Sequence, residues 1–192
     1  MNKRIFNILI KEPGLKQEPW EWKMFLEFCS EWLKNQKIKN PIVVELGILN
    51  NKQKAFYEQL FDAEYIGVDM LDDRGKPDIL GNTHAPETLA KLMRKLKGRQ
   101  IDVLFIDASH HYEDAIKDFE IYSPLCSGLV VLHDIETFRN TGRKSAQVWK
   151  LWDEIRLGTY ASKEEYKQFP LVSIFKRRTR GCQRGIGIIV KK

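Results

Sequence analysis

The fold of this chain is decided by one stretch, Ile101-Asp-Val-Leu-Phe-Ile-Asp-Ala-Ser-His-His-Tyr-Glu-Asp114. Its apolar residues Val103 to Ile106 predict a buried strand that stops at Asp107, and an amphipathic helix begins a few residues later. A strand that leads into a helix is the unit of parallel α/β sheets, in which ligands bind at the carboxyl ends of the strands. There, the carboxylate of Asp107 and the imidazole of His110 can hold a cation or take a proton. The stretch therefore predicts an active-site edge.

The alternation of strand and helix continues on both sides of this stretch. Apolar segments predict strands at 42–46, 65–69, 78–80, 101–107 and 129–132, with helices between them and one more helix over 19–36. Two further strands, 171–176 and 185–190, lie too close in sequence for a helical crossover, so we expect them to pair antiparallel. The sequence thus predicts an α/β fold with three layers and a doubly wound, mostly parallel, Rossmann-like sheet. This sheet has seven strands and an antiparallel terminal hairpin.

The length and composition indicate an ordinary globular protein. With 192 residues, we expect a single domain over 1–192, in which a helical extension (1–39) precedes a Rossmann-like core (40–192). No apolar run approaches the roughly 20 residues of a membrane span, and the N-terminus lacks the features of a secretory signal. We therefore expect no membrane partner and a cytoplasmic location.

Cysteine usage and charge restrict the kinds of site. Cys29, Cys126 and Cys182 are far apart and form no CxxC pair, so neither a disulfide framework nor a zinc site is expected. The net charge of +6 is concentrated in a basic C-terminal segment over 176–192. This segment is compatible with an anionic partner, such as a phosphorylated sugar, a nucleic acid or a membrane surface, or with a solvated hairpin tip. The absence of aromatic residues over 176–185 weakens the nucleic-acid hypothesis.

Three more motifs lie at the ends of predicted strands: Val43-Val-Glu-Leu-Gly47, Gly81-Asn-Thr-His-Ala-Pro-Glu-Thr-Leu89 and Gly128-Leu-Val-Val-Leu-His-Asp134. With the first stretch and the strand order, they resemble the class I S-adenosylmethionine-dependent methyltransferases. The resemblance is strongest to the small O-methyltransferases and to the branch that includes cephalosporin-hydroxylase-like and macrolide-sugar methyltransferases. It covers roughly residues 40–192, most of the chain.

This resemblance implies a site for S-adenosylmethionine. The residues expected to contact the cofactor are Glu45, Gly47, Asp69, Asn82 and Asp107. Glu45 and Gly47 match the motif that holds the amino-acid part, since the ammonium needs a negative partner and the carboxylate needs backbone N–H donors. Asp69 matches the acid that binds the ribose diol, and Asn82 lies where the family lines the adenine.

The sequence departs from the family directly after Gly47. Where the family repeats glycine, this chain has Ile48-Leu49-Asn50-Asn51. Asn tolerates the left-handed backbone conformation better than most residues, so the turn can survive this change. Whether it still supports catalysis is left open by the sequence.

The resemblance also implies catalytic and metal-binding roles. His110 occupies the position of the base that deprotonates the acceptor hydroxyl, a role that a neutral imidazole can fill. In metal-dependent relatives, acids at the positions of Asp107 and Asp134 bind a divalent cation, usually Mg²⁺. The third ligand stays open between His133 and Glu136. The alternative is that both aspartates are helix caps or cofactor contacts.

The first hypothesis is methyl transfer from S-adenosylmethionine to a hydroxyl of a small molecule, such as a sugar or a secondary metabolite. Its rivals are a non-catalytic cofactor-binding partner subunit, which the altered turn favours, and a nucleic-acid methyltransferase, which the basic segment favours. An NAD-dependent dehydrogenase ranks below these, because Gly47-Ile48-Leu49 breaks the GxGxxG pattern. The acceptor is not identified by the sequence, and assembly into a homo-oligomer stays open.

Overall fold

The structure, a computed structural model, describes residues 1–141, 145–160, 164–177 and 184–192. The elements within these residues are, in chain order, α1 (Lys3–Leu9), α2 (Pro19–Asn35), β1 (Ile42–Leu46), α3 (Lys54–Phe61), β2 (Glu64–Asp69), β3 (Ile79–Leu80), α4 (Pro86–Leu96), β4 (Ile101–Ile106), α5 (Tyr112–Tyr122), β5 (Cys126–His133), α6 (Val148–Leu157), β6 (Leu171–Ile174) and β7 (Ile186–Val190). Every strand expected from the sequence is present, although several begin or end a few residues away from the predicted limits.

The strands form one seven-stranded sheet in the order β3-β2-β1-β4-β5-β7-β6. The first five strands are parallel, and β7 runs antiparallel to both of its neighbours, β5 and β6. The predicted α/β fold with an antiparallel terminal hairpin is thereby confirmed. The strand order changes direction between β1 and β4, so the connections that follow these strands diverge and leave a crevice at their carboxyl ends.

Helices cover both faces of the sheet because its strands are apolar on both sides. In β1, Ile42, Val44 and Leu46 pack into a core with α4, α5 and α6. Val43 points the opposite way, into a second core with α1, α2 and α3, as does the side chain of Glu45 by the alternation of a strand. A carboxylate in this second core is unusual, because its charged form loses its hydration there.

The helix α2 belongs to this second core. Pro19 occupies its first turn, and the side chain of Glu18 caps it by accepting a hydrogen bond from Glu21 N at 2.9 Å. Trp22 is fully buried, and its ring meets that of Phe105 edge-on at 5.7 Å. Residues 1–39 therefore cover a face of the sheet. At 17 residues α2 is the longest helix described, and within the described ranges no helix has the length and apolarity to cross a bilayer.

Glu21 joins α2 to the terminal hairpin. Although it is 1% exposed, its two carboxylate oxygens accept hydrogen bonds from the backbone N–H groups of Lys176 and Gly185, each at 3.0 Å. These two residues flank the connection between β6 and β7. The tip of that connection, 178–183, lies outside the described residues, together with the basic residues and Cys182 that the sequence places there.

The residues before two helices are engaged in other ways than capping. The helix α3 begins at Lys54, after Asn51, which has a left-handed backbone with φ of +57°. The helix α5 begins at Tyr112, and no side chain of the described residues caps its first turn. The Ser109 hydroxyl instead donates to the carboxylate of Asp114 at 2.8 Å.

Candidate active site

A cavity of about 640 Å³ opens at the carboxyl ends of the central strands. Five residues that the sequence singled out line it: Gly47, Asp69, Asn82, Asp107 and His110. They follow β1, β2, β3 and β4, which end at the same edge of the sheet. A volume of this size is typical of sites for cofactors and drug-sized ligands. Glu45 and Asp134 do not line the cavity.

Gly47 allows the turn after β1 to pass close to β4. Its φ is +82°, and a Cβ added there would lie 2.3 Å from the carbonyl oxygen of Asp107. Leu49 and Asn51 are also left-handed, with φ of +49° and +57°. The expectation that an asparagine sustains this turn fits Asn51, whereas the left-handed Leu49 was not foreseen.

Asp69 organises the same turn. One of its carboxylate oxygens accepts hydrogen bonds from Ile48 N at 2.9 Å and Leu49 N at 3.1 Å, and the other accepts from Leu71 N at 3.0 Å. Its carboxylate therefore bridges the ends of β1 and β2 while facing the cavity. Two backbone donors of the turn that the resemblance implied for the cofactor, Ile48 N and Leu49 N, thus donate to this aspartate.

Glu45, in β1, points into the second core and not into the cavity. Its side chain is fully buried and accepts a hydrogen bond from the Tyr65 hydroxyl at 2.7 Å. Burial raises the pKa of Glu45 to about 8, because the charged form loses its hydration and the hydrogen bond from Tyr65 compensates only in part. A contact between Glu45 and a cofactor stays a prediction.

Asp107, His110 and Asp134 form a cluster just beyond the carboxyl ends of β4 and β5. His110 Nε2 lies 3.4 Å from Asp107 Oδ1 and 3.2 Å from Asp134 Oδ2. The Thr137 hydroxyl donates to Asp134 Oδ1 at 2.8 Å. One ligand atom from each member of the cluster lies within 4.8 Å of the others, which is a spacing that a single metal ion can bridge.

His133 is the positive partner of Asp107. Its Nδ1 lies 3.0 Å from Asp107 Oδ1, and its side chain is 2% exposed. Burial alone would lower the pKa of His133, but the charges of Asp107 and Asp134 outweigh burial and raise it to about 9. Burial alone would also raise the pKa of Asp107, but His133 and, more weakly, His110 hold it below its ordinary value.

Glu136, the other residue considered as a third metal ligand, points elsewhere. Its carboxylate forms an ion pair with Arg139 Nε at 3.0 Å. The residue that joins Asp107 and Asp134 in the cluster is His110. Its Nε2 can carry a proton, bind a cation or accept a proton from a hydroxyl, but only one of these at a time.

Asn82 and His84 line the part of the cavity beyond β3. The Asn82 side chain accepts a hydrogen bond from His84 N at 2.8 Å, which shapes the loop. His84 Nε2 lies 3.3 Å from Asp118 Oδ1, and burial raises the pKa of Asp118. No role was predicted for His84, since its partner Asp118 in α5 lies 34 positions away in the sequence.

The residues that line or support the cavity without having been singled out as site residues include Lys16, Gln17, Gln53 and Arg184. Gln17 donates to Asp107 Oδ2 at 3.2 Å. Gln53 Oε1 is buried and has no hydrogen-bond partner among the described residues. No local pattern marks these positions. Lys16, Gln17 and Arg184 reach the cavity from distant parts of the chain, and Gln53 from the connection between β1 and α3.

The polar groups of the cavity fit S-adenosylmethionine and a cation. Gln53 Oε1 is an unused acceptor that can bind an ammonium group, and Asp69 and Asn82 lie on the side where the sequence predicts the nucleoside. Two carboxylates and an imidazole can bind a divalent cation, and the nitrogen ligand shifts the preference from Mg²⁺ towards transition metals.

Comparison with known proteins agrees with this architecture. A family model described as "Methyltransferase domain" matches residues 59–135. No curated protein gives a significant match. Among solved structures, MycE methyltransferase from the mycinamycin biosynthetic pathway, in complex with Mg, SAH and mycinamycin VI, is 16% identical with a TM-score of 0.62. The alignment covers 97% of this chain and 52% of MycE, so the chain spans about half the length of that protein.

Two smaller proteins match over nearly their whole length. The O-methyltransferase TomG from Streptomyces achromogenes, involved in tomaymycin synthesis and solved with SAM, is 13% identical; the match covers 100% of this chain and 92% of TomG, with a TM-score of 0.61. An O-methyltransferase from Bacillus cereus in complex with SAH is 12% identical with the same coverages and a TM-score of 0.54. At these identities the likeness shows the fold. The predicted fold is confirmed by this likeness, and the family model over residues 59–135 agrees with the resemblance to methyltransferases.

Proposed function

We propose that this protein transfers the methyl group of S-adenosylmethionine to a hydroxyl of a small molecule. The observation that carries the proposal is the single cavity into which Gly47, Asp69 and Asn82 converge with Asp107 and His110. It joins a nucleoside-sized pocket to an acid–imidazole cluster. The methyltransferase family model and the likeness to SAM-bound and SAH-bound O-methyltransferases support the same activity.

The protein's own groups bind and orient the cofactor and the acceptor, and one of them accepts a proton. When bound, the cofactor supplies a methyl group that its sulfonium already activates. His110 Nε2 accepts the proton of the acceptor hydroxyl, and the neighbouring carboxylates of Asp107 and Asp134 stabilise the imidazolium that forms. Holding acceptor and donor in line supplies much of the remaining rate enhancement.

Asp107 and Asp134 would hold a divalent cation, either Mg²⁺ or a transition metal, that orients the acceptor oxygen. MycE, which was solved with Mg and SAH, supports this assignment. If the cation takes His110 Nε2 as a ligand, that nitrogen is no longer available as a base. The acceptor itself is proposed only as a class, and a cytoplasmic location and a possible homo-oligomer stay predictions.

Calorimetric titration with S-adenosylhomocysteine tests the binding half of the proposal. We expect saturable binding at one site, and the absence of binding would refute the proposed function. Methyl transfer from labelled S-adenosylmethionine to a panel of sugars and hydroxylated metabolites, with and without divalent cations, tests the catalytic half. Binding without turnover on any acceptor would favour the partner-subunit hypothesis instead.

Two variants separate binding from catalysis. His110→Gln should lower turnover by about 10²- to 10⁴-fold with little effect on cofactor affinity, because it removes the imidazole and leaves Gly47, Asp69 and Asn82 unchanged. Asp69→Asn should weaken cofactor affinity by about 10-fold or more, because the carboxylate faces the cavity and also holds the turn after β1. Full activity of His110→Gln would remove this residue from its role.

A further inference from the structure

We infer that Lys16 binds the carboxylate of the cofactor's amino-acid part. It would replace the backbone donors of the glycine-rich turn, which this chain lacks. This inference rests on the proposed function and adds a binding residue that lies outside every motif of the sequence. Its starting point is the turn from Gly47 to Asn51, whose backbone donors are almost all used within the protein.

The donors of that turn are accounted for one by one. Gly47 N donates to the carbonyl oxygen of Val68 at 2.9 Å, and the amides of Ile48 and Leu49 both donate to Asp69. Asn51 N donates to the carbonyl oxygen of Ile48 at 2.7 Å. Four of the five amides from Gly47 to Asn51 are therefore engaged. A carboxylate that entered this part of the cavity would need another donor, since an unpaired buried charge is strongly unfavourable.

Lys16 and Arg184 are the cationic residues that line the cavity, and the segment that carries Lys16 contacts the turn through Gly14. Lys16 lines the cavity together with Gly47, Leu49 and Gln53. Within the described part of the chain, no carboxylate lies within ion-pair distance of its ammonium group. A lysine without a partner beside a cavity can form a charge-assisted hydrogen bond with an incoming carboxylate. The unused Gln53 Oε1 can accept from the ammonium of the same amino-acid group.

The N-terminal segment that carries Lys16 is fastened to the turn on both sides of this residue. Asn50 Nδ2 donates to the carbonyl oxygen of Gly14 at 2.6 Å. Gln17 Nε2 donates to Asp107 Oδ2 at 3.2 Å. These two contacts hold the backbone of residue 16 between the cofactor turn and the acid cluster, so that its side chain needs little ordering to reach a ligand.

A comparison of two cofactors with two proteins tests the assignment. The ligands are S-adenosylmethionine and its decarboxylated form, which keeps the ammonium and lacks the carboxylate, and the readout is the calorimetric Kd. Lys16→Gln should weaken binding of S-adenosylmethionine by about 10- to 100-fold and leave the decarboxylated form within about two-fold. Lys52→Gln is the matched control, because Lys52 adjoins the same turn but pairs with Glu12 at 3.8 Å and does not line the cavity.

The other outcomes are distinct. An equal loss of affinity for both ligands in Lys16→Gln would mean that Lys16 supports the segment rather than the carboxylate, and would overturn the inference. Unchanged affinity for S-adenosylmethionine would overturn it directly. If the wild-type protein binds neither ligand, the proposed function fails as a whole. If it binds S-adenosylmethionine and only the expectation for Lys16→Gln fails, the inference is wrong and the proposed function stands.

Discussion

Asp107 is the residue on which the site converges. Its carboxylate contacts His133 and His110 from one oxygen and Gln17 from the other, so three separate segments of the chain meet at it. The sequence marked Asp107 and His110 by their position after a buried strand, a local signal. It could not show that His133, from the neighbouring strand, is the group that balances the charge of Asp107.

The ligand set of the cluster leads to a prediction about metal preference. Because His110 Nε2 lies beside two carboxylates, the chelator-treated protein should bind Mn²⁺ more tightly than Mg²⁺, by about 10-fold. Calorimetric titration with each ion measures the difference. Asp134→Asn should abolish most of the binding, whereas Asp72→Asn, the same change at an exposed acid, should not. Equal affinities, or an Asp134→Asn protein that binds as before, would contradict the prediction.

At the scale of elements, no sequence pattern predicted the contact between α2 and the terminal hairpin. The apolar spacing of Trp22, Phe25 and Cys29 predicted the helix and its buried face. Glu21 was not singled out in the sequence, yet it is buried and accepts hydrogen bonds from the backbone on both sides of the β6–β7 connection. Its partners are more than 150 residues away in sequence, where periodicity carries no information.

Glu21→Ala should therefore destabilise the protein. The substitution leaves the N–H groups of Lys176 and Gly185 without an acceptor, at a cost of roughly 3 kcal/mol in the free energy of unfolding. Urea denaturation measures the loss. Glu31→Ala, on the exposed part of the same helix, should change stability by less than about 0.5 kcal/mol. If the two variants unfold alike, the Glu21 contact contributes nothing to stability.

For the whole molecule, a buried carboxyl group between the sheet and a helical layer should make stability depend on pH. The pKa of Glu45 is raised from 4.5 to about 8 by burial, so the folded protein keeps a proton that the unfolded chain releases above pH 4.5. Its contribution to stability is complete below pH 4.5 and is lost as the pH rises towards 8.

Glu45→Gln removes this titration while keeping an acceptor for the Tyr65 hydroxyl. Between pH 5 and pH 8, wild-type protein should lose about 3 kcal/mol of stability relative to the variant, since each pH unit in the window corresponds to about 1.4 kcal/mol. Denaturant midpoints across this range provide the measurement. Titrating groups far from Glu45 are common to both proteins and cancel in the difference, whereas Asp107, His133 and Asp69 interact with its charge and add a smaller contribution. Parallel pH profiles for the two proteins would show that Glu45 ionises normally.

The sequence by itself determined the secondary structure, the order of strands and helices, and the residues that stand at the strand ends. These follow from local rules: apolar periodicity, the residue types of turns, and the shortness of the connection between the last two strands. Because parallel strands end at a common edge, the sequence also placed Gly47, Asp69, Asn82, Asp107 and His110 around one cavity.

Only the tertiary structure decided which groups are left free to bind something. Asp69 accepts the hydrogen bonds of two backbone amides of the turn, and the side chain of Glu45 is fully buried. Lys16 lines the cavity and has no ion-pair partner among the described residues. The physical reason is that a polar group's availability depends on whether a distant residue has already satisfied it. Burial and the satisfaction of these hydrogen bonds depend on segments that are far apart in the sequence and are brought together only by packing.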